Sequence, residues 1–447
     1  MRPSRARAAW LCSVRLAAPR IFSRLTGSAF LKNVATMMTG TVIAQAIPML
    51  LSPVMTRLYA PKDYGLYAAF MVASTTISAF ASGRYEFAVV LPEKDHDAVN
   101  VVGLCLVLAV AVAAAVGLFA AAGGASALDR LGGGRLGAWV YLVPPMVLLQ
   151  SAFQTLNYWL IRLQAFRVLS IARVARAIVM GVANLSFGVL HVRGGLILSS
   201  ALGQAVTTLV LVGYVLWRSD RRLSGFDSRL MREVGKRYRS FAIFALPADL
   251  LSTLAGQFPI LLLDEASSGL YAFVQLVVNA PLSVISGSVL DAFKDRAARD
   301  RREKGNFAEI FDKIAKTLAA LGLVPLVLLL AVGPLLFRIV FGAAWEPAGH
   351  FARILAAMYF LKLVVSPLSY SYYIVEKQAE DFVLHVGVLV LTGAALWLGM
   401  HRFGDATTAV TLYAGAYSFV YAVYFVRSRG FSRGRGVAPL DASKAEP

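Results

Sequence analysis

The sequence predicts an all-α polytopic membrane protein of about twelve transmembrane helices arranged as six plus six, and three observations predict it. Of 447 residues, 58% are apolar and only 15% charged, with a mean hydropathy of +0.66; soluble domains are roughly half apolar and a quarter charged. Twelve apolar segments approach the ~20 residues that cross a hydrocarbon core. Lysine and arginine are concentrated in alternate connections between those segments, the pattern of a topology set by basic loops.

The segments fall in chain order at 34–54, 66–81, 98–122, 138–156, 168–190 and 196–217, then at 241–263, 270–290, 317–337, 351–374, 382–400 and 406–426. Residues 1–33 read as a basic cytoplasmic tail, 34–217 as a first six-helix lobe and 218–240 as a basic cytoplasmic linker. A second lobe at 241–426 and a cytoplasmic tail at 427–447 complete the chain. The tail carries Arg2, Arg5, Arg7, Arg15, Arg20, Arg24 and Lys32 with no acidic residue. The apolar run after it is longer than the ~7–15-residue core of a cleavable signal, so it reads as a retained first helix.

Of the 44 basic residues, 35 lie in the N-tail, the C-tail and the connections on their side, against 7 in the opposite connections; Arg353 and Lys362 lie inside one helix. A five-to-one bias that alternates between the two sides places both termini in the cytoplasm. A periplasm-active phosphatase fused after Pro447 is expected to be silent and a cytoplasm-active reporter bright. The reverse pattern overturns the orientation.

The net charge of +19 follows from the same distribution. Basic groups between apolar spans answer anionic headgroups, and nucleic acid is not an expected partner. Cys12 and Cys105 supply neither a disulfide framework nor a metal site. Gly132, Gly134 and Gly137 spell G-x-G-x-x-G, but no strand precedes them and they lie in a short outer loop. No phosphate-loop spelling occurs, and no connection is long enough for a soluble catalytic domain. The sequence therefore reads as a non-enzyme with no cofactor.

The halves resemble each other. Gly65-Leu66-Tyr67-Ala68 recurs as Gly269-Leu270-Tyr271-Ala272 at an offset of 204, and the same offset aligns Ser82-Gly83 with Ser286-Gly287. Six crossings return a chain to its starting side, so duplicated units would be parallel, related by an axis along the membrane normal.

Polar groups at membrane depth are costly and normally face a bundle interior or a wet cavity. Thr41, Gln45, Pro48 and Ser52 form one stripe on the first helix, and Asp249, Ser252, Thr253 and Gly256 a similar one on the seventh; at the 204 offset Gln45 corresponds to Asp249. Packing of helices through small and polar residues accounts equally well for both stripes. Lys362 lies near the middle of the tenth segment with Ser366, Ser369 and Tyr373 on its face, while Arg353 sits close enough to an end to snorkel. Lys362 reads as a cavity cation or as the structural partner of Asp249. Arg57, Arg84, Glu86, Arg173 and Arg176 sit at helix ends, where topology or headgroup contacts are the default role.

Thr56-Arg57-Leu58-Tyr59-Ala60-Pro61-Lys62-Asp63-Tyr64-Gly65-Leu66-Tyr67 and Gly83-Arg84-Tyr85-Glu86-Phe87-Ala88-Val89-Val90-Leu91-Pro92 resemble the segments after the first and second helices of the polysaccharide biosynthesis, or Wzx-type oligosaccharide (O-antigen) flippase, family. The resemblance implies the multidrug/oligosaccharidyl-lipid/polysaccharide exporter fold, with two six-helix lobes rocking around a central cavity. It implies export of an undecaprenyl-diphosphate-linked oligosaccharide for lipopolysaccharide, capsule or exopolysaccharide synthesis. Membrane lipid and the polymerase and chain-length proteins of the same pathway are the implied partners. Lys362, Asp249, Gln45, Arg57, Arg84 and Tyr373 are the candidate translocation residues; of these the family pattern contributes Arg57. A drug/cation antiporter of the same fold and a membrane-embedded polymerase or ligase are the alternatives.

Overall fold

Backbone buried in lipid must satisfy its hydrogen bonds within each segment, so helices are the expected elements of such a chain. The computed structural model describes residues 28–217, 225–239, 241–246 and 256–435, and it has no strand among them. The first half comprises α1 (Ser28–Leu58), α2 (Pro61–Ala81), α3 (Asp95–Phe119), α4 (Val143–Arg162), α5 (Phe166–Val189) and α6 (Gly195–Trp217). A short helix, α7 (Ser228–Arg237), precedes the second half. There α8 (Glu265–Val274) runs through one wide turn into α9 (Ala280–Lys304), followed by α10 (Ala308–Phe341), α11 (Glu346–Leu368), α12 (Gln378–Leu398) and α13 (Ala406–Ser432).

Ten helices among the described residues are long and apolar enough to cross a membrane, so the chain is a multi-pass membrane protein. Two of the twelve expected segments are not in that ten, for different reasons. The fourth is present as α4, but Gln150, Ser151, Gln154 and Asn157 make it too polar to register as a lipid-solvated span. The seventh expected segment, 241–263, lies partly outside the described residues, and with it Asp249, Ser252 and Thr253.

Helix boundaries also correct the sequence reading near the fourth connection. The connection between the fourth and fifth segments, expected at 157–167, narrows to the three residues between Arg162 and Phe166. Arg173 and Arg176 therefore stand inside α5 rather than at a headgroup boundary. The hydropathy of a helix start is depressed by its own arginines, which is why the apolar segment appears to begin later than the helix.

The halves meet at the end that carries the sparsely basic connections, here called the outer end. A side-chain carbon on Gly65 would overlap the backbone carbonyl oxygen of Glu265, and one on Gly269 would overlap that of Pro61. Gly269 and Glu265 stand 204 residues after Gly65 and Pro61, so the repeated glycines make the same contact in both directions. That reciprocity is the signature of a two-fold, isologous contact. It is the geometry that parallel repeats about the membrane normal require.

Larger groups seal the same end. The Trp345 indole donates to the Thr56 carbonyl at 2.9 Å and packs with Tyr64 and Phe273 at ring separations of 5.0 and 4.3 Å. Arg135, at the end of the glycine-rich loop, donates to the Ser268 hydroxyl at 2.6 Å and to the Leu263 carbonyl. The G-x-G-x-x-G spelling thus serves a loop that reaches across to the other half.

Candidate functional site

A cavity of about 270 Å³ opens among α2, α4, α5 and α6. Its walls are polar because each contributing helix turns the polar part of its surface inward: Ser78 and Ser82 from α2, Gln150 and Gln154 from α4, Arg176 from α5 and Gln204 from α6. Gln150, Ser78 and Gln204 are buried, at a depth where unpaired polar groups would otherwise be unfavourable.

The Gly83-Arg84 step shapes the basic end of this cavity. Both residues have positive φ, 58° and 60°, an uncommon backbone for arginine. The turn feeds a short helical segment, Tyr85–Val90, in which neighbouring side chains diverge. Arg84 and Glu86 line the cavity, whereas Tyr85 donates to the Gly235 carbonyl at 3.1 Å and Phe87 packs against Tyr158 at 5.3 Å. The Glu86 carboxylate is 2% exposed and meets the Arg84 guanidinium at 3.4 Å, while its Oε2 has no hydrogen-bond partner among the described residues.

Arg173 and Arg176, one turn apart on α5, have different surroundings. Arg173 donates to the Thr41 hydroxyl at 2.7 Å and to Asn157 Oδ1 at 3.4 Å, tying α1, α4 and α5 together. Arg176 lines the cavity; its electrostatic neighbour is Tyr67, and no carboxylate among the described residues pairs with it. The sequence reading treated it as a topology determinant. The available signal was its spacing from Arg173 on a helix that begins earlier than the hydropathy suggested.

A second cavity of about 160 Å³ lies between α9 and α11, with Lys362 and Tyr359 on one wall and Ser283 and Ser286 on the other. It stands at the same place in the second half as the first cavity does in the first half. At the offset of 204, Thr75, Ser78, Ala79, Ser82 and Glu86 of the first correspond to Asn279, Leu282, Ser283, Ser286 and Leu290 of the second. The charge differs in kind but not in sum. Arg84, Arg176 and Glu86 leave one positive charge in the first cavity, and Lys362 leaves one in the second.

The expected residues are therefore brought together only in part. Lys362 and Ser366 share the second cavity, and no hydrogen bond or ion pair to Lys362 occurs among the described residues. Lys362 stands in the last two turns of α11, nearer the basic side than a straight span to Ile374 would place it. Arg353 donates to the Ala331 carbonyl of α10 at 3.3 Å. Tyr373 departs from the expectation: the helix ends at Leu368, just past Pro367, and Tyr373 lies in the following short turn Ser371–Ile374. There it is 50% exposed and stacks on Tyr370 at 5.2 Å, away from the second cavity's walls.

Gln45 and Arg57 are exposed. On α1 the exposed Gln45 and Met49 lie one turn apart, while the exposed Ile43, Leu50 and Val54 lie on the opposite arc, so the helix has two open faces and Gln45 is not on the uniformly apolar one. Arg57 sits at the outer end of α1 and lines neither cavity. Asp249 lies outside the described residues.

Residues 54–350 match the family described as "Polysaccharide biosynthesis protein". No curated protein matches the chain significantly. Among solved structures, the chain overlays the lipid II flippase MurJ in an inward closed conformation with a TM-score of 0.67 at 9% identity, covering 90% of each chain. It overlays a multidrug resistance transporter of the MATE family in the MOP superfamily, in an inward-facing conformation, with a TM-score of 0.63 at 12% identity, covering 89% of this chain and 95% of the other. For an outward-facing MATE transporter the TM-score is 0.53 at 11% identity, over 91% and 97%. These likenesses establish the fold.

Proposed function

Because the chain belongs to the polysaccharide biosynthesis protein family, we propose that it is a flippase that carries undecaprenyl-diphosphate-linked oligosaccharide from the cytoplasmic to the periplasmic leaflet of a bacterial inner membrane by alternating access. Such a cargo feeds lipopolysaccharide, capsule or exopolysaccharide synthesis, and the polymerase and chain-length proteins of that pathway are the partners that would receive it. Both termini lie in the cytoplasm.

The observation that carries the reading is the pair of polar cavities at matching places, each with a cation that no carboxylate among the described residues neutralises. A buried unpaired arginine or lysine costs several kcal/mol. An anion that enters the cavity offsets that cost, which favours a diphosphate or acidic sugar over a cationic drug. The amides of Gln150, Gln154 and Gln204 and the hydroxyls beside them can replace water around sugar hydroxyls, as a polar chain crossing hydrocarbon requires. A cation antiporter would need the opposite charge in these walls.

The test is a deletion strain. It is expected to lose surface polysaccharide while lipid-linked oligosaccharide accumulates and stays inaccessible to a glycosidase added outside the inner membrane. Normal surface polysaccharide with raised sensitivity to cationic drugs would overturn the proposal in favour of drug export.

A further inference from the structure

We propose that α7 is a headgroup-binding helix that engages anionic phospholipid on the basic side of the membrane, at a site separate from both cavities. Arg229, Arg232 and Lys236 recur at i, i+3 and i+7, and Arg237 extends the same face. All four are exposed, with Glu233 the only acid among them. The opposite face is occupied: Val234 is buried, and Met231 and the Phe226 ring fill the space beside Gly103 of α3.

Anchoring fixes the direction in which the basic face looks. Asn100, fully buried in α3, accepts from the Asp227 amide at 2.8 Å and donates to the Gly225 carbonyl at 3.3 Å. Asp227 caps the helix by accepting from the Arg229 amide at 2.7 Å. Tyr85 holds the far end through the Gly235 carbonyl.

A solvated charge run would leave its rim polar. Here Phe226, just before the helix, is 48% exposed although it packs on a membrane-spanning helix. A half-exposed ring beside a row of cations is the pattern of a helix lying in the interface plane, apolar edge toward acyl chains and cations toward headgroups. The complement is a phosphodiester headgroup with a net negative charge, on the side where basic residues concentrate.

The experiment uses the full chain reconstituted in vesicles of phosphatidylcholine and phosphatidylglycerol at a ratio of roughly seven to three, an anionic surface of the kind that attracts such segments. A trace of phosphatidylglycerol carries a photoreactive group on its headgroup, and cross-linked peptides are mapped. Wild type is expected to yield adducts within 225–239. Glutamine at Arg229, Arg232, Lys236 and Arg237 together is expected to reduce them at least about tenfold. Glutamine at four other exposed basic residues, Arg302, Lys313, Lys316 and Arg435, leaves the yield unchanged.

Because all four α7 side chains are exposed, an unchanged unfolding midpoint in detergent confirms that the variant folds. Glycerol 3-phosphate in excess does not compete, since it lacks the acyl chains that place a headgroup at the interface. Equal adduct yield in the α7 variant, equal yield with a phosphatidylcholine probe, or full competition by glycerol 3-phosphate would each overturn the proposal. A failure of the deletion-strain test above would leave these outcomes unaffected.

Discussion

Leucine in place of Gly65 is expected to hold the outer end of the molecule open and stop transport, with the protein still inserted in the membrane. The Cβ of any other residue there overlaps the Glu265 carbonyl oxygen, and that oxygen belongs to a helix backbone that cannot rotate away. Overpacking of this kind costs about 1–3 kcal/mol, and all of it falls on the arrangement in which α2 and α8 touch. A cost of about 3 kcal/mol shifts a two-state population on the order of a hundredfold. The readout is a cysteine at Ala68, which is 5% exposed in the closed contact, in a background without Cys12 and Cys105. An impermeant thiol reagent added outside should label it slowly in the parent and rapidly after Gly65→Leu. Gly269→Leu should do the same through Pro61, since the two contacts are reciprocal. Slow labelling and normal export in both variants would show that the outer seal does not depend on this approach.

The second large effect belongs to the two cavity cations. Lys362→Ala is expected to abolish surface polysaccharide while the protein accumulates normally, because the anionic cargo loses the ammonium it would meet in the second cavity. Truncating one partner of a desolvated charge pair costs about 2–5 kcal/mol, which is roughly thirtyfold or more in rate or affinity. Lys362→Arg should keep part of the activity, since charge survives although geometry changes. Arg176→Ala should reproduce the loss from the other cavity, where no carboxylate among the described residues pairs with that arginine. The competing account, in which Lys362 pairs with Asp249 for stability, predicts a different set of results. Protein level would then fall in Lys362→Ala, and Lys362→Met combined with Asp249→Leu would restore both level and export. Normal export by that double variant would remove Lys362 from the translocation path.

These two experiments draw on very different amounts of sequence information. Lys362 was visible in the sequence because an ammonium in an apolar run is rare wherever the run packs. Arg176 was equally present in the sequence, but its place near a helix end gave it a topology or headgroup role by default. The glycines were visible as a repeat, and their offset of 204 marked them as equivalent positions. That Gly65 meets Glu265 and Gly269 meets Pro61 was not, because a repeat says which residues are equivalent and not which ones touch.

What the sequence determined by itself is the membrane class, ten of the spans and the equivalence of the glycines that make the reciprocal contact. Each of these rests on a local property: a bilayer demands a length of apolar chain whose backbone bonds close within the segment, and a repeat needs only a matching order. The polar walls were decided by tertiary structure. Gln150, Arg176 and Gln204 come from three helices, and each helix had to turn its polar arc toward the others before a cavity existed. The same step removed Tyr373 from the face of Lys362, since the helix stops after Pro367 and the following turn changes direction. Helix rotation is set by packing against neighbours far away in the chain, and no local pattern carries that information when lipid, being as apolar as the side chains, does not favour one face strongly over another.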